Sequence, residues 1–234
     1  MRISIASYNI RKAIGLDRRR DPDRILSILR EIDADVVALQ EADRRFGRRE
    51  TVLPLSAIQD HTPYYPVPLS MRPDSIGWHG NALLVRRGID LLDASVVPLP
   101  TLEPRGAIRA DLAVKGQRFR VVGMHLDLSG LRRRHQVRSV LSHIDDCDGH
   151  CPAVLLGDLN EWARRGGSLN EFPDQWRVLA PGRSFPSRRP VAQLDRIIVS
   201  DHWEVAGTGV HHSALSSRGS DHLPVWAELT LPKK

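Results

Sequence analysis

The sequence predicts an α/β protein in which mixed sheets are packed between helices. Three observations indicate this class: an early strand–helix–strand unit, a middle region of short strands, and a second helix that leads into a buried strand. Strands that follow one another without an intervening helix favour antiparallel pairing, so the sheets are expected to be mainly antiparallel. Because no repeat, low-complexity tract or linker-like stretch divides the 234 residues, they are expected to form a single domain, 1–234.

The amino-terminal unit has the clearest pattern. Residues 3–8 alternate roughly with period two, which is typical of a strand. Asp21 and Pro22 then indicate a helix start, because aspartate caps helices well and proline suits the first helical position. The apolar run 36–39 predicts a buried strand that ends before Glu41. Between the two strands, the apolar stripe of the helix is formed by Ile25, Ile28, Leu29 and Ile32.

Short apolar segments separated by Gly, Pro and Asp fill the middle of the chain. The strands predicted there are 64–69, 81–85, 94–99, 108–114 and 119–126. A second helix, with an apolar face from Leu131 to Ile144, precedes a buried strand at 153–156. The stretch from there to about Pro190 has no clear pattern. The last predicted strands are 194–199, 203–210 and 225–231.

The composition is that of an ordinary globular protein, with 41% hydrophobic and 26% charged residues. No apolar stretch reaches the ~18 residues that a membrane-spanning helix needs. The opening residues lack the basic start and continuous apolar core of a signal peptide, so a cytoplasmic location is expected. Cys147 and Cys151 are too few for a disulfide framework.

The charge of the chain is unusual because almost all of its cations are arginines. There are 34 basic residues, 30 of them arginine, against 28 acidic ones, which gives a net charge of +6. This balance favours an anionic partner such as nucleic acid, phospholipid head groups or phosphate esters, although it can also serve solubility alone. The aromatic residues Tyr64, Tyr65, Trp78 and Trp162 are scattered, so neither a membrane wedge nor a base-stacking platform is predicted.

Polar residues that could carry chemistry recur at the ends of predicted strands, where ligand sites of α/β sheets gather. Each one alone also has a structural explanation, as a turn former, a capping or surface acid, a half-buried histidine or part of a loop. The interpretation therefore depends on their number and order. They are Asn9, Glu41, His125, Asp158, Asn160, Asp195, Asp221 and His222.

Short segments around these residues form a recognisable series. In chain order they are Tyr8-Asn9-Ile10, Leu39-Gln40-Glu41, Met124-His125-Leu126, Gly157-Asp158-Leu159-Asn160, Leu194-Asp195-Arg196-Ile197 and Ser220-Asp221-His222-Leu223-Pro224. The series resembles the endonuclease/exonuclease/phosphatase superfamily, which has the fold of deoxyribonuclease I. The resemblance implies a four-layer α/β sandwich with two mixed, mainly antiparallel sheets between helices. It also implies cleavage of phosphoester bonds with a divalent metal, usually Mg²⁺, for which Mn²⁺ is expected to substitute.

The resemblance assigns a role to each of these residues. Glu41 resembles the family's principal metal ligand, Asp221 a second acid near the same metal, and Asn9 a neutral contact to metal or phosphate. A hard cation held by few carboxylates suits this chemistry, because it neutralises the charge that develops on phosphate oxygens.

The remaining residues resemble the family's catalytic groups. His222 resembles the catalytic histidine, and Asp195 the acid that orients it; whether His222 acts as a base or as a phosphate ligand stays open. Asp158 matches the acid that orients or activates the nucleophile. Asn160 matches the amide that donates to the phosphate or positions that acid. His125 matches a donor to a phosphate oxygen or to the leaving group.

The chain departs from one branch of the superfamily at Arg11. Abasic-site endonucleases carry an acid two residues after the first Asn, whereas arginine stands there in this chain. The segment 80–84 looks more like the sphingomyelinase-related and small branches. Among less specific candidates for substrate binding are Arg105, Arg45 and Asn81. The run Arg132-Arg133-Arg134 at a helix start is read either as a solvated face or as a contact to phosphates.

The function expected from these features is that of a metal-dependent phosphodiesterase or nuclease, which acts by in-line attack of water. The charge favours nucleic acid as the phosphoester substrate, and no protein partner is predicted. The alternative within enzymes is a sphingomyelinase-like hydrolase of phospholipids or small phosphoesters. A non-catalytic binding module is the third hypothesis, against which the intact metal and histidine positions speak.

Overall fold

Two six-stranded sheets form the centre of the computed structural model, which describes residues 1–45, 47–69, 74–101, 105–145 and 151–231. The strands of the first sheet, in spatial order, are β11 (Glu204–Val210), β12 (Val225–Thr230), β1 (Arg2–Asn9), β2 (Val36–Gln40), β4 (Ala82–Arg86) and β3 (Tyr64–Pro66). Those of the second sheet are β5 (Asp90–Val97), β6 (Gly106–Val114), β7 (Gln117–His125), β8 (Ala153–Asp158), β10 (Asp195–Ser200) and β9 (Trp176–Leu179).

Helices cover the outer faces of both sheets. They are α1 (Pro22–Ile32), α2 (Leu55–His61), α3 (Gly130–Asp145) and α4 (Ser216–Gly219), with 3₁₀ turns at 11–13 and 167–171. Apolar residues of α1 and α2 pack on the first sheet, and those of α3 pack on the second. A third apolar cluster lies between the two sheets. The order helix, sheet, sheet, helix confirms the predicted four-layer sandwich.

Both faces of the central strands are buried, which explains their nearly continuous apolar sequence. In β2, Val36 and Ala38 point into the cluster between the sheets, whereas Val37 and Leu39 face the helices. The neighbouring helix α1 begins as the sequence predicts. The Asp21 carboxylate caps it by accepting from the Arg24 N–H at 3.0 Å.

The pairing pattern is mixed but mainly antiparallel, as predicted. β1 and β2 are parallel, as are β7 and β8, and the other neighbours are antiparallel. One sequence-based expectation is corrected, because β4 and β5 follow each other without a helix and yet belong to different sheets. The chain crosses there from the first sheet to the edge of the second.

Several elements lack a clear sequence signal. The stretch without a pattern contains the 3₁₀ turn 167–171 and β9, a four-residue edge strand. The short helix α2 and the early start of β5 at Asp90 are also absent from the prediction. Edge strands and short helices bury little apolar surface, so their sequences have a weak period. Cys147 lies outside the described residues, and Cys151 is half-buried before β8.

No helix in the described ranges is both long enough and apolar enough to cross a lipid bilayer.

Candidate active site

The strand ends of both sheets bring the predicted site residues to one edge of the sandwich. Because β1 and β2 are parallel and β12 is antiparallel to them, Asn9, Glu41 and the 221–222 segment share that edge in the first sheet. His125 and Asp158 end the parallel strands β7 and β8 in the second sheet. Across the two sheets, the Asn9 Nδ2–H donates to Asp158 Oδ2 at 3.0 Å. The site therefore spans both sheets.

Asp158 and Asn160 are held by the turn that leaves β8. Gly157 has φ 155°, and a Cβ there would lie 1.8 Å from the Met124 oxygen, so only glycine fits beside β7. Asn160 has φ 51°, and its backbone N–H donates to Asp158 Oδ1 at 2.9 Å. Its side-chain amide donates to the Leu126 oxygen at 2.9 Å. These bonds orient the carboxylate of Asp158 before any substrate arrives.

Two histidines approach the same carboxylate oxygen of Asp158. His125 Nε2 lies 3.4 Å from Asp158 Oδ2, and His222 Nε2 lies 3.7 Å from it. All three side chains are buried. We define the buried cluster as these three residues together with their neighbours Asn9, Asn160 and Asp195.

His222 is fixed by Asp195, as the resemblance implies. Its Nδ1 lies 2.9 Å from Asp195 Oδ2, and since a carboxylate only accepts, Nδ1 is the donor. Ser184 donates to the same carboxylate oxygen. The ring of Phe185 packs against the imidazole at 4.8 Å between ring centroids. The second nitrogen of His222, Nε2, is thereby directed at Asp158.

The protein gives the two histidines opposite protonation states. Burial lowers the pKa of His222, but Asp195, Asp158 and Asp221 outweigh it and raise that pKa to about 10. Burial is also the largest effect on His125, whose pKa falls to about 3 because Arg105, His222 and Lys12 oppose the attraction of Asp158. At neutral pH, His222 is a cationic donor and His125 is a neutral ring.

Arg105 contacts His125 directly, with a guanidinium N–H donating to His125 Nε2. A neutral imidazole carries one proton, and because Nε2 accepts here, that proton is on Nδ1. In this arrangement Arg105, rather than His125, presents N–H donors to the adjacent cleft.

The two acids that resemble metal ligands lie beside two basic residues. Lys12 Nζ donates to Glu41 Oε2, and Arg11 Nε lies 3.3 Å from Asp221 Oδ2. Arg11, Lys12 and Glu41 have φ values of 46°, 57° and 55°, in the left-handed region that non-glycine residues rarely adopt. Backbone of this kind tends to occur at functional sites.

One group of acids and histidines in the described part of the chain has potential ligand atoms within 4.8 Å of one another. It consists of Asp158, Asp195 and His222. This group could hold a metal, and it does not include Glu41 or Asp221. The structure thus offers two places for a cation, one inside the buried cluster and one at the acids beside it.

An open cleft borders the buried cluster and carries most of the nearby positive charge. The space inside it, counted together with its solvent-filled mouth, is about 490 Å³. Its lining consists of Lys12, Glu41, Asp43, Arg44, Arg45, Arg49, His79, Gly80, Arg105 and His125. We define the basic cleft as the cationic part of this lining, namely Lys12, Arg44, Arg45, Arg49 and Arg105.

The less specific sequence candidates have different outcomes. Arg105 and Arg45 line the cleft, in agreement with a position near substrate. Asn81 is almost fully buried, and its Nδ2–H donates to the Trp78 oxygen at 3.3 Å. That contact fixes Asn81 in the turn before β4, and its contact with substrate stays a prediction. Arg133 is buried against Glu161, so the arginine run at the start of α3 is not uniformly solvated.

Sequence reasoning missed three residues that shape the site: Lys12, Ser184 and Phe185. Lys12 had one signal, since it is among the few lysines of an arginine-rich chain and stands three residues after Asn9. Ser184 and Phe185 lie in the stretch without a pattern, and no spacing connects them to Asp195 or His222. Their contacts arise only from the tertiary fold.

Comparison with known proteins agrees with the fold. The uncharacterized protein YbhP of Escherichia coli K12 is 27% identical over 97% of this chain and 96% of its own length. An endonuclease/exonuclease/phosphatase from Bacteroides vulgatus has a TM-score of 0.78 at 18% identity, over 99% of this chain and all of that one. TDP2 of D. rerio, complexed with a single-stranded DNA product, has a TM-score of 0.74 at 18% identity, over 98% of this chain and 99% of that one.

The family model described as the endonuclease/exonuclease/phosphatase family matches residues 6–222. This range includes every residue of the buried cluster as well as Glu41 and Asp221. The chain belongs to the endonuclease/exonuclease/phosphatase family.

Proposed function

We propose that the protein is a divalent-metal-dependent phosphodiesterase in which water attacks the phosphorus in line with the leaving oxygen. One observation carries this proposal: the buried line Asp195–His222–Asp158, with 2.9 Å and 3.7 Å between successive polar atoms, next to the acids Glu41 and Asp221. A binding module needs no such arrangement, whereas hydrolysis needs a fixed proton acceptor beside a fixed cationic donor.

The donor set at Glu41 and Asp221 fits a magnesium ion better than the buried cluster does. The two carboxylates are about a quarter to a third exposed, so water reaches them, and Mg²⁺ usually retains several waters. Asp195 is fully buried, and its Oδ2 is already bonded to Ser184 and His222, which leaves only its Oδ1 without a hydrogen-bond partner among the described residues. Glu41 and Asp221 would hold the ion, with Asn9 nearby, and Mn²⁺ would replace Mg²⁺. When bound, the cation supplies positive charge to the phosphate oxygens.

Side chains of the buried cluster would carry out proton transfer and phosphate binding. Asp158, oriented by Asn9 and Asn160, accepts the proton of the attacking water. Protonated His222, held by Asp195, donates from Nε2 to a phosphate oxygen as negative charge grows there. Of the two roles that the sequence left open for His222, we propose phosphate binding.

Arg105, together with His125, faces the phosphate from the side of the cleft. The planar guanidinium of Arg105 presents paired donors, which suits a phosphate group. Arg45 extends the same positive field outwards from the loop after β2.

We propose nucleic acid as the favoured substrate because the basic cleft lies directly beside the buried cluster. Successive phosphates of a strand would neutralise its arginines, and binding would weaken steeply with salt through counterion release. The single-stranded DNA product in the D. rerio TDP2 complex supports the same preference. The cytoplasm remains the predicted location.

A phospholipid or another small phosphoester is the second candidate. It is favoured by exposed apolar side chains on the loops that follow β7 and β8. A cleft for nucleic acid alone would not require them.

A substrate panel tests the proposal. Single-stranded DNA, duplex DNA, abasic DNA, RNA, sphingomyelin, anionic phospholipids and inositol phosphates are each incubated with Mg²⁺, Mn²⁺ or EDTA. We expect cleavage of at least one phosphodiester that EDTA abolishes and Mn²⁺ restores. Cleavage of phosphomonoesters alone, or activity that EDTA does not change, would contradict the proposal.

A further inference from the structure

The most exposed large apolar side chains of the described residues gather around the candidate active site. Leu128, Leu131, Trp162 and Val191 are 63–66% exposed, whereas the next most exposed are at 46%. We call these four side chains the apolar rim. The sequence predicts no apolar approach surface, because its aromatic residues are scattered. It also assigns Leu131 to the apolar face of the second helix, whereas the structure leaves this side chain 66% exposed.

Each member of the rim follows or precedes a catalytic strand end. Leu128 and Leu131 come after His125 at the end of β7, and Trp162 comes after Asp158 at the end of β8. Val191 precedes Asp195, which pairs with Asp158 in the register of β8 and β10. The rim therefore lies at the same edge of the sandwich as the buried cluster.

Internal contacts hold these loops together. Arg133 donates to the Leu128 oxygen at 2.7 Å and pairs with Glu161 at 3.2 Å, which joins the loop after β7 to the residue before Trp162. The Trp162 ring contacts Phe185 at 6.1 Å between centroids. Val191 N–H in turn donates to the Phe185 oxygen at 2.8 Å. The exposed apolar side chains thus project from a supported surface.

Four arginines lie on the same loops as Trp162 and Val191 of the rim. Arg164 and Arg165 follow Trp162, and Arg188 and Arg189 precede Val191; all four are exposed. No ion pair joins them to an acid among the described residues, whereas many other arginines of the protein have acidic partners. The combination is an apolar patch bordered by unneutralised guanidinium groups.

We propose that the apolar rim and its four arginines dock the protein on the surface of an anionic phospholipid membrane. Exposed Leu, Val and Trp side chains enter the boundary between head groups and acyl chains, and guanidinium groups bind the lipid phosphates. Docking through this face turns the buried cluster towards the head groups. The docking itself is independent of hydrolysis. Only its consequence, that the site meets the second candidate substrate, a phosphodiester carried by a lipid, depends on the proposed function.

The composition of the rim favours a membrane over other occupants. A platform for nucleic acid needs flat aromatic faces on which bases stack, and three of the four rim members are branched aliphatics. A second copy of this chain would bring its own unpaired arginines to the same patch, and like charges would oppose each other.

Vesicle binding without metal tests the proposal. In EDTA, we expect the protein to co-sediment with vesicles of phosphatidylcholine and phosphatidylglycerol, and weakly or not with phosphatidylcholine alone. The double variant Leu128→Ser/Leu131→Ser should lower the partition coefficient about tenfold, because two apolar side chains no longer enter the interface. The variant Arg164→Gln/Arg165→Gln should lower it roughly fivefold.

The matched control is Leu55→Ser/Leu92→Ser, which removes two partly exposed leucines outside the rim. It should bind vesicles like the unmodified protein. A second readout is tryptophan fluorescence, since anionic vesicles should shift the emission to shorter wavelength in the unmodified protein and much less in Trp162→Phe. The thermal midpoints of all variants are measured first, so that misfolding is not taken for lost binding.

Three results would overturn the docking proposal. The first is equal partition of the rim variant and its control. The second is that the unmodified protein binds a single-stranded oligonucleotide and not vesicles, and that the rim variant no longer binds the oligonucleotide. The third is a dimer in sedimentation that the rim variant dissociates. Because the assay contains no metal, these failures leave the proposed hydrolysis unaffected, and failure of the whole substrate panel leaves membrane docking unaffected.

Discussion

The buried cluster and the basic cleft are neighbours at the same edge of the two sheets, but they are built differently. In the buried cluster, Asp158 accepts from Asn9 and Asn160, and His222 is held by Asp195. In the basic cleft, Arg44 is more than half exposed and its partner Glu50 lies 3.7 Å away. The first region has one fixed arrangement of polar atoms, whereas the second combines the exposed Arg44 and Arg45 with three half-buried cations.

This difference indicates which residues should contribute most to lowering the activation free energy. Buried groups that are held by hydrogen bonds act in a low dielectric and need little reorganisation, so loss of one group should affect turnover strongly. Exposed charges are screened by water and salt, and their neighbours can substitute for them. Substitutions in the buried cluster should therefore lower kcat, and those of the exposed cleft residues Arg44 and Arg45 should mainly raise KM.

The largest effect is expected for Asp158→Asn. The substitution keeps the shape of the side chain but removes the proton acceptor, so kcat should fall about 10³-fold or more. The assay is steady-state hydrolysis of a phosphodiester with Mg²⁺, and the thermal midpoint serves as the folding control. A higher KM with unchanged kcat would mean that Asp158 behaves like a cleft residue, and it would contradict the distinction between the two regions.

A smaller loss is expected for Asp195→Asn, which acts only through His222. Loss of the carboxylate lowers the basicity of the imidazole and loosens its orientation, so kcat should fall about 10²-fold. The chemical shifts of the His222 ring should also move, which a merely structural change elsewhere in the sheet would not produce. Unchanged ring shifts would argue against the pairing on which this role depends.

Removal of a metal ligand distinguishes the two possible cation positions. Glu41→Gln should weaken Mn²⁺ binding roughly 10–100-fold, measured by titration, while Asp195→Asn should leave it nearly unchanged. The matched control is Glu50→Gln, since Glu50 is another acid near the cleft that pairs with Arg44. The opposite pattern, with affinity lost in Asp195→Asn, would assign the cation to the Asp158–Asp195–His222 group.

The buried cluster could be predicted from the sequence more completely than the cleft. Its members stand at fixed places in short motifs, and a glycine is required at position 157, before Asp158, because the Met124 backbone approaches it closely. Apolar residues on both faces of strands, such as Val36 and Val37, predict sheets covered by helices, and the resemblance to the family implies the four layers. Motif spacing and strand burial are local properties, which a single sequence records directly.

The contacts between distant loops could not be predicted in this way. Phe185 reaches His222, and Arg133 reaches Glu161, only because separate loops meet at the sheet edge. The run of three arginines that contains Arg133 does not indicate by itself which side chain faces solvent and which pairs with an acid. Weakly periodic segments such as β9 also escape detection, because an edge strand has one partner and little apolar surface.

Glu161 offers a contrast within one turn, because it lies three residues after Asp158 but has no expected part in the chemistry. Burial alone would raise its pKa, but hydrogen bonds from Ser168 and Ala163 and the charge of Arg133 outweigh burial and lower the pKa. The backbone N–H and the hydroxyl of Ser168 and the guanidinium of Arg133 all donate to Glu161 Oε2, and these hydrogen bonds are buried. Glu161 is therefore expected to stabilise the fold.

Glu161→Gln should lower the free energy of unfolding by about 2 kcal/mol at neutral pH. Because the folded-state pKa is depressed, this contribution is present above the unfolded pKa of about 4.3 and is lost as pH falls through the lower folded pKa. Urea unfolding of both proteins from neutral to acidic pH measures the difference in the free energy of unfolding, which should approach zero at acidic pH. A difference that stays constant with pH would show that packing, not the charge, is responsible.

The smallest effects are expected in the basic cleft. Arg45→Gln should raise KM for a polyanionic substrate by about threefold with kcat almost unchanged, because neighbouring cations compensate. The salt dependence of kcat/KM should become slightly less steep. A loss of kcat comparable to that of Asp158→Asn would mean that Arg45 belongs functionally with the buried cluster.

Hydrolysis of bis-p-nitrophenyl phosphate tests metal-dependent phosphodiester cleavage by the buried cluster most directly. The unmodified protein, Asp158→Asn and Arg45→Gln are followed side by side in Mg²⁺ and in EDTA. We expect turnover by the unmodified protein and by Arg45→Gln in Mg²⁺ only, and almost none by Asp158→Asn. Turnover in EDTA, or full turnover by Asp158→Asn, would contradict the proposed chemistry.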